Sequence, residues 1–214
     1  MSVSAREITQ APALTVGGTA VEVWFAETGP REVPEDGWGL LAPDDLRYLA
    51  RLAVPAVRAE AAYARAVLRR VLGERLGLPP ADIRIARTLT GRPYLPGTDW
   101  DFSLSYTAGL VAVAVGRSAR IGVDVERVRP VPMAHAIADG FFTPADHTAL
   151  AALSGPGRDR HWFQVWTRVE AIIKAQGAGL LNPGSGESGP SMPLLLPEGC
   201  VGTVAALPWN GGPG

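Results

Sequence analysis

Lysine is almost missing from this chain. Nineteen of its twenty basic residues are arginine, and the single lysine is Lys174, within Trp166-Thr167-Arg168-Val169-Glu170-Ala171-Ile172-Ile173-Lys174. A compact ammonium and a planar guanidinium that never gives up its proton do different chemistry, so a lone lysine marks a place to look for function. Cysteine is equally scarce: Cys200 stands alone, which excludes an internal disulfide, and three scattered histidines with no second cysteine argue against a structural zinc site. The net charge is -1, with acids and bases mixed along the chain and no basic tract or tail, so a nucleic-acid partner is not expected and any anionic ligand must be held by a local pocket. No apolar run approaches the roughly 20 residues that span a bilayer. The expectation is a cytoplasmic protein, monomeric and without membrane attachment.

What is present is material for a core. The chain has 214 residues, of which 47% are hydrophobic, enough for one domain or two small ones. After a loose first dozen residues a strand is predicted at Val21 to Phe25, then a short helix from near Pro43 with Asp44 and Asp45 at its positive end. Residues 55 to 76 are rich in Ala, Arg and Leu at helical spacing and are stopped by Gly77 and Pro79-Pro80. Strands are predicted at Ile83 to Arg87, Phe102 to Tyr106 and Leu110 to Val115, the last two forming a hairpin. A further strand, Ile121 to Glu126, alternates so that Asp124 and Glu126 share one face. Thr143-Pro144-Ala145-Asp146 has the form of a capped helix start. A longer helix runs from about Arg158 to Gln176, on which Trp166, Glu170 and Lys174 fall at successive i, i+4 positions. A Gly/Pro/Ser-rich stretch over 182 to 193 precedes a last strand at Val201 to Leu207.

Asp124, Glu126 and Glu170 are the carboxylates of interest. Hard divalent cations take oxygen ligands and keep positions open for water and substrate phosphates. If the long helix packs beside the strand, the three acids could hold magnesium on a pyrophosphate, Glu170 could orient or deprotonate a nucleophile, and Lys174 could steady a leaving phosphate. Taken singly, each of these features is common on solvated surfaces. Trp166 shares the face that must pack on a sheet and reads as core, and Arg65, Arg69 and Arg70 read as solvated helix charges.

The order of the motifs carries more. Gly91-Arg92-Pro93-Tyr94-Leu95-Pro96, Phe102-Ser103-Leu104-Ser105, Gly122-Val123-Asp124-Val125-Glu126, Phe141-Phe142-Thr143, Trp166 to Lys174 and Gly177-Ala178-Gly179-Leu180 together resemble the 4′-phosphopantetheinyl transferases of the surfactin-synthetase-activating type. The resemblance implies an α+β fold of two similar halves, each a long helix on a small antiparallel sheet, with residues 1–117 and 118–214 as the halves and the second shortened. It implies transfer of the phosphopantetheine arm of coenzyme A to a serine of an acyl or peptidyl carrier protein, with magnesium held by Asp124, Glu126 and Glu170. Glu170 and Lys174 would be catalytic, and Gly91, Arg92, Pro93, Ser105 and Tyr106 would line the coenzyme A site.

Three positions depart from that pattern. Tyr106 stands where the family has a histidine, Val169 where it has a lysine, and Glu60 where an arginine is usual, with Arg58 two residues away. Each charge-assisted phosphate contact so lost costs about 1.5–3 kcal/mol. Two alternatives therefore stand beside the transferase: a protein that binds a carrier or a coenzyme A derivative, and an enzyme of changed chemistry on a carrier-bound or coenzyme A-bound substrate.

Overall fold

The computed structural model describes residues 8–27, 35–131, 134–177 and 189–209. The chain opens with β1 (Ile8–Gln10), β2 (Leu14–Val16) and β3 (Thr19–Glu27), followed by α1 (Glu35–Trp38), α2 (Pro43–Leu49) and the long α3 (Pro55–Leu76). A small hairpin of β4 (Ala86–Arg87) and β5 (Pro93–Tyr94) leads to β6 (Trp100–Thr107) and β7 (Leu110–Arg117). The chain continues with β8 (Ala119–Arg127), α4 (Ala134–Phe141), α5 (Pro144–Ala151), α6 (Gly155–Gln176), β9 (Ser191–Pro193) and β10 (Cys200–Pro208).

Two antiparallel sheets result. The first has five strands in the order β1-β3-β7-β6, with β2 also on β3, and the second has three in the order β8-β10-β9. Alternation explains how they stack. On β7, Val111, Val113 and Val115 face α3, while Leu110, Ala112 and Ala114 join Val21, Val23, Ile121, Val123, Val125 and Val204 between the sheets. Helix α6 lies on the far face of the second sheet through Ala171, Ile172 and Ala175 against Ala205. The layers run α3, first sheet, second sheet, α6, an α+β arrangement as expected, with the second sheet the smaller.

Both long helices end as the sequence predicts, on glycines in the left-handed region: Gly77 at φ 66° and Gly177 at φ 73°. Helix α5 starts with a full capping box, Thr143 Oγ1 accepting from Asp146 N at 3.2 Å and Asp146 accepting from Thr143 N at 3.0 Å.

Several expectations need correction. The opening residues are not all loose, because β1 and β2 pair with opposite ends of β3. Only Ala86–Arg87 of the predicted strand at 83–87 pairs; Ile83 is buried in the core and its carbonyl accepts from Arg69 instead. Arg69 is not a solvated charge. It is 2% exposed, paired with Asp45 and bonded to Pro80 O at 2.8 Å and Ile83 O at 3.0 Å. Arg65 is also largely covered, with its guanidinium 3.8 Å over the Tyr48 ring. Residues 178–180 of the glycine-rich motif, and 182–188 of the stretch after it, lie outside the described residues.

Candidate active site at the junction of the two sheets

The junction is built from strand β6, whose side chains alternate between two jobs. Trp100, Phe102, Leu104 and Tyr106 pack toward α3, and Asp101, Ser103 and Ser105 turn the other way onto the edge of β8. There they meet the backbone N–H groups of alternate residues: Ile121 N donates to Asp101 at 2.6 Å, Val123 N to Ser103 Oγ at 3.0 Å, and Val125 N to Ser105 Oγ at 3.3 Å. An edge strand whose donors would otherwise be buried unpaired is satisfied by a row of side chains from the neighbouring sheet.

Helix α6 is brought onto the same strand by a missing side chain. A Cβ at Gly122 would stand 1.8 Å from the carbonyl oxygen of Ala171 and 2.8 Å from Ala175 N, so only glycine allows this approach. Close packing there lets the side chains of α6 reach across β8. Lys174 Nζ donates to Asp124 Oδ1 at 2.7 Å and to Val123 O at 3.0 Å, and lies 3.8 Å from Glu170 Oε2.

Asp124 is 3% exposed, and Ser105 Oγ donates to its Oδ1 at 2.8 Å, the same oxygen that Lys174 holds. Its other oxygen, Oδ2, is buried with no hydrogen-bond partner. Glu126 receives Arg129 Nη1 at 2.9 Å and Thr107 Oγ1 at 3.4 Å. Burial first, then the negative charges of Asp124 and Glu126, push the Glu170 carboxyl up to about 8 against the opposing pull of Lys174. The cleft therefore concentrates carboxylates that are short of positive charge.

The structure brings some of the expected site residues together and leaves others apart. Asp124, Glu170, Lys174 and Ser105 are together, and Glu126 sits next along the strand. As the side chains stand, Asp124 and Glu126 carry the cations of Lys174 and Arg129, and among the described residues no group of three acid, His or Cys side chains is arranged to hold a metal ion. Tyr106 is on the opposite face of β6 from Ser105. Its hydroxyl is pushed above the usual phenol range by burial and by Tyr48, while a hydrogen bond and the charge of Arg65 pull it back. Val169 is 1% exposed and packs into the cluster with Phe163 and Ile173, while Arg168 is held by Asp146 at 2.7 Å. Arg58 donates to Leu52 O and does not replace the arginine expected at Glu60. Trp166 stacks on Trp162 at 5.7 Å, in keeping with its reading as core. Gly91 sits at φ 84° in the turn between β4 and β5, where left-handed backbone is required.

Sequence reasoning missed Asp101 and Ser103. The signal was available, since Asp101, Ser103, Ser105 and Thr107 alternate with large apolar residues along one strand.

A model of the 4′-phosphopantetheinyl transferase superfamily matches residues 120–187, a stretch that holds Asp124 and Glu126 of β8 and Glu170 and Lys174 of α6, and over this stretch the chain is similar to that superfamily. It is 28% identical over 214 residues to the 4′-phosphopantetheinyl transferase HetI of Nostoc sp., covering 91% of this chain and 90% of that one. It is 29% identical over 118 residues to the 4′-phosphopantetheinyl transferase Sfp of Bacillus subtilis, covering 55% of this chain and 51% of that one. With the 4′-phosphopantetheinyl transferase AcpT of Salmonella typhi the match is 28% over 88 residues, 41% of this chain. Among the described residues no helix is long and apolar enough to cross a membrane.

Proposed function

We propose that the protein transfers the 4′-phosphopantetheine arm of coenzyme A to a serine hydroxyl of an acyl or peptidyl carrier protein. The observation that carries this reading is the cleft itself: a buried Asp124 with one oxygen unpartnered, a Glu170 carboxyl raised to about 8, and the chain's only lysine between them. An unpartnered buried carboxylate oxygen amid converging negative charge fits a hard divalent cation. Asp124, Glu126 and Glu170 would hold magnesium, which when bound would neutralise charge on the coenzyme A pyrophosphate. The backbone of the turn at Gly91 and Pro93 would bound the adenine end of the cleft, and Ser105 would border the phosphates.

In the reaction the serine oxygen forms a bond to the phosphorus bearing the pantetheine arm, and the bond from that phosphorus to the bridging oxygen breaks. Glu170 takes the serine proton. Lys174 lies one helical turn away and offers its ammonium to the phosphate of the departing 3′,5′-ADP. The cleft lies between the halves 1–117 and 118–214, and one chain supplies every residue named, consistent with a monomer working in the cytoplasm.

The test is the mass of the carrier. Apo-carrier incubated with coenzyme A, magnesium and the protein should gain one phosphopantetheine, and Glu170→Gln should abolish the gain. No gain on any of several carriers with folded protein would overturn the reading.

Tyr106 and Val169, which pack into apolar clusters where the family has a histidine and a lysine, favour a second reading, an enzyme of changed chemistry on a carrier-bound or coenzyme A-bound substrate. Such a protein would leave apo-carrier at its starting mass and convert a holo-carrier or coenzyme A thioester instead.

A further inference from the structure

Arg92 is engaged with protein partners on every side but one. Its Nη1 donates to the carbonyl of Lys174 and, at 2.8 Å, to that of Ala175; its Nη2 donates to the Asp101 carboxylate and, at 3.2 Å, to Ile121 O. Nε is buried without a partner. Asp101, 1% exposed, returns the connection to the same strand by accepting from Ile121 N. The pair therefore joins four elements: the turn before β5, strand β6, strand β8 and the last turn of α6.

The last turn of a helix leaves carbonyls without intrahelical donors and carries the negative end of its dipole. A guanidinium is suited to such a place because its planar fork can serve several acceptors at fixed angles. Room for it comes from the helix stop: a Cβ at Gly177 would approach Arg92 Cδ to 3.1 Å, and Gly177 N closes the helix on Ile173 O at 2.9 Å. Lys174 is consequently held at both ends. Its backbone carbonyl is fixed by Arg92 from the turn before β5, and its ammonium is fixed by Asp124 and Val123 O from β8.

We infer that Arg92 and Asp101 form a positioning pair for Lys174, locking the end of α6 against β8 so that the sole lysine of the chain is aimed at Asp124, rather than offering Arg92 as a contact for the ligand. This deepens the transferase reading and rests on it for its kinetic consequence only. Burial pulls the guanidinium of Arg92 down and the carboxyl of Asp101 up from their ordinary ranges, while each partner opposes the shift of the other. Both are therefore dependent on the contact between them.

The sole lysine makes a direct test available. Protein labelled with 13C,15N-lysine gives one lysine side-chain signal, read without substrate in the wild type, Arg92→Gln, Asp101→Asn and, as a control, Arg117→Gln, which breaks the exposed Arg117–Asp99 pair. The two junction variants should move and broaden the Lys174 signal toward that of free lysine, and the control should leave it in place. In transfer assays the junction variants should lower kcat about 100-fold, the scale of loss for a misplacement of about 1 Å, with KM for coenzyme A changed less than about two-fold. An unmoved Lys174 signal in both folded variants would overturn the inference, as would a raised KM for coenzyme A with kcat intact in Arg92→Gln. Should Arg92→Gln not fold, the nearly isosteric Asp101→Asn decides on the same signal. A wild type that transfers nothing defeats the transferase reading alone, because the lysine signal is still there to read.

Discussion

The two sheets are each covered by a 22-residue helix, yet the two layers treat charge in opposite ways. On α3 the arginines are matched by the protein itself: Arg69 is buried on Asp45 and two carbonyls, Arg65 lies on Tyr48 and near Asp45, and Arg58 closes on Leu52 O. On β8 and α6 the carboxylates exceed their partners, leaving an oxygen of Asp124 unpaired and Glu170 raised to about 8. Buried groups of the first kind hold a fold together. Buried groups of the second kind cost stability unless a ligand supplies what is missing, and such sites are where function is found.

That contrast gives its largest predicted effect at Arg69. Removing one member of a buried ion pair leaves the other uncompensated, so Arg69→Met should lower stability by about 3–5 kcal/mol in urea denaturation. A loss under about 1 kcal/mol would mean that α3 does not depend on its internal matching. Gly122→Ala comes next, since the added methyl meets a helix carbonyl at 1.8 Å. The expected cost is about 3 kcal/mol, and displacement of α6 should also remove activity. Retention of both would show that the helix does not need to approach β8 so closely.

Glu170 sharpens the comparison through pH. Its folded value of about 8 lies above its ordinary 4.5, so the folded protein binds this proton more tightly than the unfolded chain does. Stability of the metal-free protein should accordingly fall as pH rises from near 4.5 through about 8, and Glu170→Gln should flatten that slope. Denaturation in chelator at pH 6 and pH 9 measures it, and parallel slopes for both proteins would contradict the assignment. The smallest effect belongs to a feature outside the contrast. Thr143→Ala removes the side-chain cap of α5 and should cost about 1 kcal/mol without altering the pH slope.

How much of this was legible in the sequence follows from the distance over which each feature is decided. Helices α3 and α6, the alternation on β8 and the capping box at Thr143 are local patterns, and each stands near its expected place. Strands β1 and β2 are three residues each and owe their form to pairing with β3, so nothing within them announces it. The burial of Arg69 depends on Asp45, 24 residues away, and the place of Arg92 depends on carbonyls 82 and 83 residues away. Motif order supplied Asp124, Glu170 and Lys174, because the chemistry demands those residue types. It pointed Arg92 and Tyr106 toward a ligand, whereas one is held by α6 and the other faces α3, since a motif names a residue without saying which way its side chain turns.

The unmatched carboxylates of β8 and α6 are the centre of this account, and calorimetric titration of coenzyme A with magnesium into the wild type and Asp124→Asn tests them most directly. Saturable binding by the wild type that requires magnesium, and its loss in a folded Asp124→Asn, is the predicted result. Binding that is unchanged by Asp124→Asn, or a wild type that binds coenzyme A equally well in chelator, would contradict it.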